Sequence, residues 1–207
     1  LPKPIQKPHP PIYQACISPD SFLTAARKGF NLQLASPFSY RTYREAWIDK
    51  LAESLEAHEA ERARCGLNPK GGERMMLLPF FAGEDGAAAR ELFGKHVEWF
   101  YAKVTNNQNQ GARPNELVKG YELTMHESRK TLAGGYLNFA KLYEHGAAIA
   151  DDPETCAAKL IHLQRRLGIT EFVLWPNIGG MSAEHAHASM ELTIRAVAPR
   201  VNAAVGV

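Results

Sequence analysis

The stretch that decides the fold is IYQACISPDSFLTAARKGFNLQLA, residues 12–35. The apolar run Ile12–Ile17 is typical of a buried strand, and the run Phe30–Ala35 is typical of a second strand. Between the two runs, Ser18 is suited to cap a helix and Pro19 is suited to the first helical position. A strand, a helix and a strand in so short a stretch form a βαβ unit, which predicts parallel strands and a right-handed connection.

The alternation of strands and helices continues along the rest of the chain. Apolar residues at helical spacing predict long helices, and short apolar runs predict strands. The predicted elements are a helix over Tyr40–Cys65, a strand over Arg74–Ala82, a helix beginning at Asp85 or Gly86, a helix from Asp152 to Leu167, a strand over Ile169–Trp175 and a closing helix over Ser182–Val197. Four βα units in a row predict an α/β fold with a parallel sheet.

The sequence predicts one partial domain, residues 1–207, with four parts. Residues 1–11 contain five of the thirteen prolines and are expected to form a connector, because proline has no backbone N–H to share with a helix or a central strand. Three βα units occupy residues 12–104, and a last helix, strand and helix occupy residues 151–207. Residues 105–150 begin with a polar stretch rich in Asn, Gln and Gly, and an insertion of this length is typical of a lid or a binding loop.

The pattern alone is compatible with two architectures for such a sheet. The sheet can belong to an open, doubly wound domain, or it can be the second half of a (βα)8 barrel whose first half lies upstream. The chain begins with Leu1 rather than methionine and opens on a connector, and both features favour the second architecture.

Composition and charge argue against several classes of protein. The chain has 24 Lys and Arg residues against 22 Asp and Glu residues, and a formal charge of +2 gives no reason to expect a nucleic acid or an anionic membrane as a partner. The longest apolar run, Met75–Ala82, contains Pro79 and is too short to span a bilayer, so no membrane segment is expected.

The cysteines favour a cytoplasmic protein. Cys16, Cys65 and Cys156 are odd in number and far apart, and none belongs to a CxxC pair. A disulfide framework and a zinc ribbon are therefore not expected. No charged segment followed by an apolar segment opens the chain, so no secretory signal is expected either.

The turn Ser18-Pro19-Asp20-Ser21 is the best candidate for a binding site. It follows a predicted strand and begins a predicted helix, so free backbone N–H groups and the helix dipole favour an anion there. The hydroxyls of Ser18 and Ser21 add two neutral donors, whereas the carboxylate of Asp20 repels an anion unless it points away. An ordinary helix cap explains the same residues, and the sequence leaves both interpretations open.

Three further residues lie at or just beyond predicted strand ends. Phe80, Trp175 and Asn177 are candidates to line a pocket, because active sites of parallel α/β barrels lie at the carboxyl ends of the strands. The two aromatic residues suit the barrel core equally well, so this assignment also stays open.

The histidines do not form a metal site. His185 and His187 are two residues apart on a predicted helix, so they point in different directions and cannot share one ion. His126 and Glu127, in the polar insertion, suit either a general base or a solvated helix face. No metal is therefore expected, and the sequence names no catalytic residue.

Three segments resemble one family, the bacterial-luciferase-like flavin-dependent monooxygenases. Residues 2–21, PKPIQKPHPPIYQACISPDS, resemble the family's proline-rich approach to the fifth barrel strand and the turn that follows it. Residues 151–175, DDPETCAAKLIHLQRRLGITEFVLW, are similar to its seventh helix and eighth strand, and residues 177–199, NIGGMSAEHAHASMELTIRAVAP, resemble its closing loop and helix. The resemblance implies the C-terminal half of a TIM-like (βα)8 barrel, with four βα units and a long insertion before the last one.

The resemblance also implies an activity. In the family, serines at this turn hold the phosphate of flavin mononucleotide (FMN), which implies a cofactor-binding role for Ser18 and Ser21, together with Pro19 and Asp20 in the same turn. The enzyme would take reduced FMN from a separate flavin reductase and use O2 to oxygenate a small organic substrate. The insertion at residues 105–150 would act as its lid.

The resemblance covers only half of the barrel. A missing N-terminal half-barrel or a second chain is therefore an expected partner, and the complete enzyme is expected to be a homo-oligomer. Two alternatives to the monooxygenase remain open. The cofactor can be a deazaflavin, which would make the enzyme a hydride-transfer oxidoreductase, or the chain can be a non-catalytic half-barrel that binds a flavin or a partner.

Overall fold

Five short parallel strands form a sheet in the described part of the chain, and helices alternate with them along the sequence. The computed structural model describes residues 3–7, 9–35, 45–111 and 138–206. The strands are β1 (Tyr13–Cys16), β2 (Asn31–Leu34), β3 (Arg74–Ala82), β4 (Ile149–Asp151) and β5 (Glu171–Trp175). The helices are α1 (Pro19–Lys28), α2 (Trp47–Arg64), α3 (Gly86–Gly111), α4 (Phe139–Glu144), α5 (Pro153–Leu167), α6 (Ala183–Leu192) and α7 (Ala198–Val205), and a π-helical turn at Thr193–Val197 joins the last two.

Strands β2 and β5 flank β3 on its two edges. The carbonyl oxygen of Glu73 accepts a hydrogen bond from the backbone N–H of Leu32 at 2.9 Å on the β2 side. The next carbonyl, that of Arg74, accepts one from Thr170 at 3.0 Å on the β5 side. β1 pairs with β2, and β4 pairs with Phe80–Ala82 at the end of β3. All pairs are parallel, so the carboxyl ends of the strands lie along one edge, and the predicted α/β fold with a parallel sheet is confirmed.

The two faces of the sheet differ in burial, because successive side chains of a strand point to opposite faces. One face packs against helices and is buried, with the side chains of Cys16, Leu32, Leu34, Met76 and Leu78. The opposite face carries Ala15, Gln33, Met75, Leu77 and Val173, each exposed or half-buried. In a closed barrel this second face would be the interior, and the described residues leave it partly open.

Helix α1 begins and ends where its sequence predicts. Ser18 is the N-cap residue, and Pro19 occupies the first helical position. Gly29 follows the last turn with φ 67°, and its N–H donates to the carbonyl oxygens of Ala25 and Ala26. This left-handed conformation favours glycine, which is why the helix stops there and β2 can begin.

Helix α5 is bounded in the same way. The carboxylate of Asp152 accepts hydrogen bonds from the backbone N–H groups of Glu154 and Thr155, both at 3.0 Å. Gly168 ends the helix with φ 64°. Both ends of this helix were therefore readable from local sequence, since each cap acts on its own turn.

A second hydrophobic cluster lies at the carboxyl ends of β3 and β4. The ring of Phe93, on α3, stacks on Phe81 with centroids 5.6 Å apart and meets Phe139 of α4 edge-on at 6.2 Å. This cluster holds α3 and α4 against the end of the sheet. No helix in the described ranges is both long enough and apolar enough to cross a membrane.

The predicted insertion at residues 105–150 is smaller than expected. Helix α3 continues to Gly111, and the chain forms α4 and β4 before residue 152. The prediction of four strands omits β4 because Ile149–Asp151 is too short to make a recognisable apolar run. The rest of the predicted lid, residues 112–137, lies outside the described residues.

Two helix boundaries also differ from the sequence prediction. The helix predicted from Tyr40 is described from Trp47, and residues 36–44 lie outside the described ranges. The closing helix, predicted to end at Val197, instead passes through the π-helical turn and resumes as α7. Pro199 does not end it, because proline is tolerated in the first turn of a helix, where its missing N–H is not needed.

Candidate functional site

The turn after β1 lies at the carboxyl edge of the sheet, where ligand sites of parallel α/β folds are built. Ser18 and Ser21 are half-buried there, and Pro19 and Asp20 are exposed. Because Asp20 is solvated, its carboxylate is not forced towards an anion bound at the start of α1.

The hydroxyl of Ser21 holds the turn together. It donates a hydrogen bond to the carbonyl oxygen of Ser18 at 2.5 Å and accepts one from the backbone N–H of Ile17 at 3.1 Å. Gln14 adds a third bond, from its side-chain amide to the carbonyl oxygen of Ser21 at 2.8 Å. A hydroxyl has one proton, so Ser21 can donate to a ligand only if its bond to Ser18 breaks.

The hydroxyl of Ser18 is differently placed. Ser18 has the extended backbone of an N-cap residue, but its side chain makes no capping hydrogen bond to α1. A hydroxyl donor and the positive end of a helix dipole therefore meet at this position. That donor set is chemically suited to a phosphate group.

The thiol beside this turn is not a nucleophile. Burial raises the pKa of Cys16 to about 11, and burial raises the pKa of Cys156 to about 12. Both side chains are fully buried. The reactive form of cysteine is the thiolate, so these two residues serve packing rather than covalent chemistry.

Phe80 is a core residue and not a pocket residue. Its side chain is 1% exposed and belongs to the cluster between the sheet and the helices. The neighbouring Phe81 points to the other face and joins the second cluster. The pocket interpretation of Phe80 is wrong because the register of β3, which sequence does not reveal, turns this side chain towards the helices.

The structure brings Trp175 and Asn177 together at the end of β5. The indole N–H of Trp175 donates to the carbonyl oxygen of Asn177 at 2.8 Å. The indole ring meets Phe100 of α3 edge-on, with centroids 4.9 Å apart. Trp175 is half-buried and Asn177 is exposed, so both retain surface that a ligand can reach.

The two parts of the candidate site are well separated. β2 and β3 lie between β1 and β5, so the Ser18 turn and Trp175 are three strand spacings apart, about 14 Å in a flat sheet. A ligand that contacts both must be extended, and FMN has an extended shape with its phosphate at one end.

The loop after β5 packs very closely against α3. A Cβ atom on Gly179 would lie 1.9 Å from the carbonyl oxygen of His96, and Gly179 has φ +64°. The ring nitrogen Nδ1 of His96 is 3.0 Å from the carbonyl oxygen of Gly179. Glycine is therefore required here both by backbone conformation and by space.

A buried polar cluster surrounds Asp151 and was not predicted from the sequence. This carboxylate, 3% exposed at the end of β4, accepts from Arg90 of α3 at 2.6 Å and from the hydroxyl of Tyr143 of α4. A Cβ atom on Gly86 would lie 2.0 Å from its Oδ1 atom, so the start of α3 approaches it closely. The sequence signal for it was the pair Asp151-Asp152 before Pro153, from which only the helix-capping role of Asp152 was predicted.

The Asp151 cluster is a structural tie between β4, α3 and α4. The hydrogen bond that Arg90 donates to Asp151 raises the pKa of Arg90. Burial, together with the hydrogen bond to Asp151, raises the pKa of Tyr143. Both shifts keep the donors protonated, so the cluster holds its protons over the ordinary pH range.

The structure brings no metal ligands together in the ranges it describes, where no group of three His, Cys, Asp or Glu side chains is arranged to hold an ion. His185 and His187 are both exposed, and Nδ1 of His185 lies 3.0 Å from the hydroxyl of Ser182, the residue that caps α6. His126 and Glu127 lie outside the described residues.

Fold and sequence together define the class of protein. Parallel strands, alternating helices and a turn at the carboxyl edge that is suited to bind an anion are features of α/β barrel proteins. The model of the luciferase-like monooxygenase family matches residues 1–171, and the chain belongs to this family. No curated protein matches the sequence.

Solved structures with the same fold include oxygenases and a reductase. Monooxygenase RslO1 from Streptomyces bottropensis is 20% identical with a TM-score of 0.66, over 96% of this chain and 50% of that chain. The oxygenating constituent of 3,6-diketocamphane monooxygenase from Pseudomonas putida, in complex with FMN, is 14% identical with a TM-score of 0.60, over 91% of this chain and 48% of that chain. The coenzyme F420-dependent tetrahydromethanopterin reductase from Methanopyrus kandleri is 17% identical with a TM-score of 0.56, over 92% of this chain and 51% of that chain. The chain spans about half the length of these proteins.

Proposed function

We propose that this chain is the C-terminal half of a flavin-dependent monooxygenase that uses reduced FMN and O2 to oxygenate a small organic substrate. The observation that carries the proposal is the Ser18 turn, where a hydroxyl that makes no capping bond lies at a helix start on the carboxyl edge of the sheet. Membership of the luciferase-like monooxygenase family supports the type of reaction, and the FMN complex of one similar structure supports the cofactor.

Each part of the site has one task in this proposal. Ser18 and the N-terminus of α1 bind the phosphate, while Ser21 keeps the turn in shape through its bonds to Ile17 and Ser18. Bound reduced FMN supplies the electrons with which O2 is activated. Trp175 and Asn177 contact the far end of the extended cofactor or the substrate, and the aromatic cluster behind Trp175 excludes water from that end.

The proposal includes partners. A separate flavin reductase supplies the reduced FMN, and an N-terminal half-barrel, in the same polypeptide or a second chain, covers the partly open face of the sheet. We propose a homo-oligomer for the complete enzyme and a cytoplasmic location. The reduced state of Cys16, Cys65 and Cys156, none of which forms a disulfide, supports that location.

A deazaflavin is the second candidate cofactor, and the F420-dependent reductase among the similar structures favours it. The enzyme would then transfer a hydride and would not use O2. Oxygen consumption with added reduced FMN separates the two functions. The monooxygenase is expected to raise the rate of O2 consumption above that of free reduced FMN. A deazaflavin enzyme is expected to leave that rate unchanged.

The proposed cofactor site is tested by comparing FMN with riboflavin, which lacks the phosphate. Flavin fluorescence quenching measures both affinities in the purified protein. Ser18→Ala is expected to weaken FMN binding about ten- to a hundredfold, because it removes one hydrogen bond to a charged group, and to leave riboflavin unchanged. Ser54→Ala, on α2, is the control and keeps both affinities. Equal affinities of the unaltered protein for FMN and riboflavin would rule out a phosphate site here.

A further inference from the structure

A cavity of about 360 Å³ lies between α2, α4 and α5, on the helix side of β4. Its apolar walls come from Ile48, Ile149 and Leu163, and Tyr143 and Lys159 also line it. Cavities of this size bind small organic molecules in other proteins. It is separate from the Ser18 turn, which follows β1 at the opposite end of the sheet path.

The walls of this cavity are held by hydrogen bonds. The indole N–H of Trp47, at the start of α2, donates to the carbonyl oxygen of His145 at 2.6 Å and ties α2 to the turn after α4. The hydroxyl of Thr155 donates to Asp152 at 2.9 Å at the start of α5. The cavity is therefore formed before any ligand binds, which lowers the cost of ordering on binding.

Lys159 is a half-buried cation that faces this cavity. Its Nζ atom lies 3.4 Å from the centroid of the Tyr143 ring. In the part of the chain that the structure describes, Lys159 makes no ion pair. The nearby carboxylate, Asp151, is already bound to Arg90 and Tyr143, so two cations share one carboxylate. Burial lowers the pKa of Lys159, as expected for an ammonium group whose charge is incompletely compensated.

We propose that this cavity binds a small organic carboxylate, which pairs with Lys159 and places its apolar part against Ile48, Ile149 and Leu163. A single ammonium group matches a singly charged carboxylate better than a phosphate dianion, which needs more donors. The carboxylate in the lining, Glu144, is exposed at the end of α4 and leaves the interior positive. The ligand completes the charge balance that Asp151 alone does not provide.

Isothermal titration of the full chain with benzoate, benzyl alcohol and benzylammonium tests this site. The three probes share a phenyl ring and differ in charge. Benzoate is expected to bind with a Kd of about 1 mM or lower, at least tenfold tighter than benzyl alcohol, and benzylammonium is expected not to bind. Equal affinities for benzoate and benzyl alcohol would overturn the proposal.

Variants then assign the binding to Lys159. Lys159→Met is expected to weaken benzoate binding at least tenfold, whereas Lys159→Arg is expected to retain it, because the charge remains. Lys141→Met, which removes an exposed lysine of α4, is the matched control and keeps full affinity. Benzoate binding that survives Lys159→Met in a protein with an unchanged melting temperature would show that the anion binds elsewhere.

Discussion

Ser18 and Ser21 lie one helical turn apart, but their hydroxyls have different roles. Ser21 donates to one backbone group of the turn and accepts from another, whereas Ser18 makes no capping bond. A role in stability and a role in binding are thus divided between two residues of the same type. This division predicts opposite phenotypes for the two alanine variants.

Ser21→Ala is expected to lower the free energy of unfolding by about 1–2 kcal/mol, because two half-buried hydrogen bonds are lost. Ser18→Ala is expected to change it by less than about 0.5 kcal/mol, since no capping bond is removed. Urea unfolding followed by circular dichroism measures both values. Equal losses in the two variants would contradict the division of roles.

His58 is buried on α2 and has no hydrogen-bond partner among the described residues. It is 1% exposed, and neither ring nitrogen is bonded in the described structure. Burial, with Arg62 and Arg74 nearby, lowers its pKa to about 4, and Glu59 opposes the shift only in part. The unfolded chain, with a histidine pKa near 6.5, therefore takes up this proton first as the pH falls.

Neutral His58 therefore contributes its full share to the free energy of unfolding above pH 6.5. This contribution is lost as the pH falls from 6.5 to about 4. From pH 7 to pH 5 the shift corresponds to about 2 kcal/mol. His58→Leu is expected to remove this part of the pH dependence, measured by urea unfolding at both pH values. His187→Gln, at an exposed position, is the control and should keep the slope of the unaltered protein.

At the scale of elements, the sequence predicts those helix boundaries that are set by interactions between neighbouring residues. α1 and α5 were predictable because Ser18, Asp152, Gly29 and Gly168 act within one turn of the helix end that each defines. β4 was not predictable, because three residues pair with a strand more than sixty positions earlier. The same limit applies to Phe80, where the register of one strand decides between core and pocket.

Ser21 illustrates the limit within the candidate site. Its position in the turn was predictable, but its hydroxyl is used by the backbone of Ile17 and Ser18, and that depends on the precise path of the chain. The cluster around Asp151 was missed for a similar reason, since Arg90 and Tyr143 reach it from two separate helices.

The contact between α3 and the loop after β5 gives a prediction about elements. Gly179 and Gly180 both have positive φ. At Gly179 a Cβ would meet backbone atoms of His96, whereas at Gly180 it would meet no atom of the described residues within 4 Å. Gly180→Ala is expected to cost about 1 kcal/mol through backbone strain alone. Gly179→Ala is expected to cost at least about 2 kcal/mol more, because α3 must move away from the loop.

Thermal unfolding of the two variants measures this difference, and tryptophan fluorescence reports the displacement, since Trp175 packs against Phe100 of α3. The shared φ cancels between the variants, so the excess cost at Gly179 isolates the steric contact with His96. Two variants of equal stability would mean that α3 does not approach the loop so closely.

At the scale of the whole molecule, the described residues leave one face of the sheet incompletely covered. Val173 is 39% exposed on the face that would be the interior of a closed barrel. In the described residues, β1 pairs only with β2, and β5 pairs only with β3, so each has an unpaired edge. Unpaired edges beside an exposed apolar face favour association with another chain.

The purified chain is therefore expected to associate, giving a mass above 22.9 kDa in sedimentation velocity at micromolar concentration. Val173→Asp places a charge on the uncovered face and is expected to shift the protein towards the monomer, because a buried unpaired carboxylate opposes the interface. Ile194→Asp, at a position 71% exposed on the helical side, is the control and should leave the mass unchanged. A stable 22.9 kDa monomer without added partner would mean that the open face and edges need no second half-barrel, and the proposal of a split or partial barrel would fail with it.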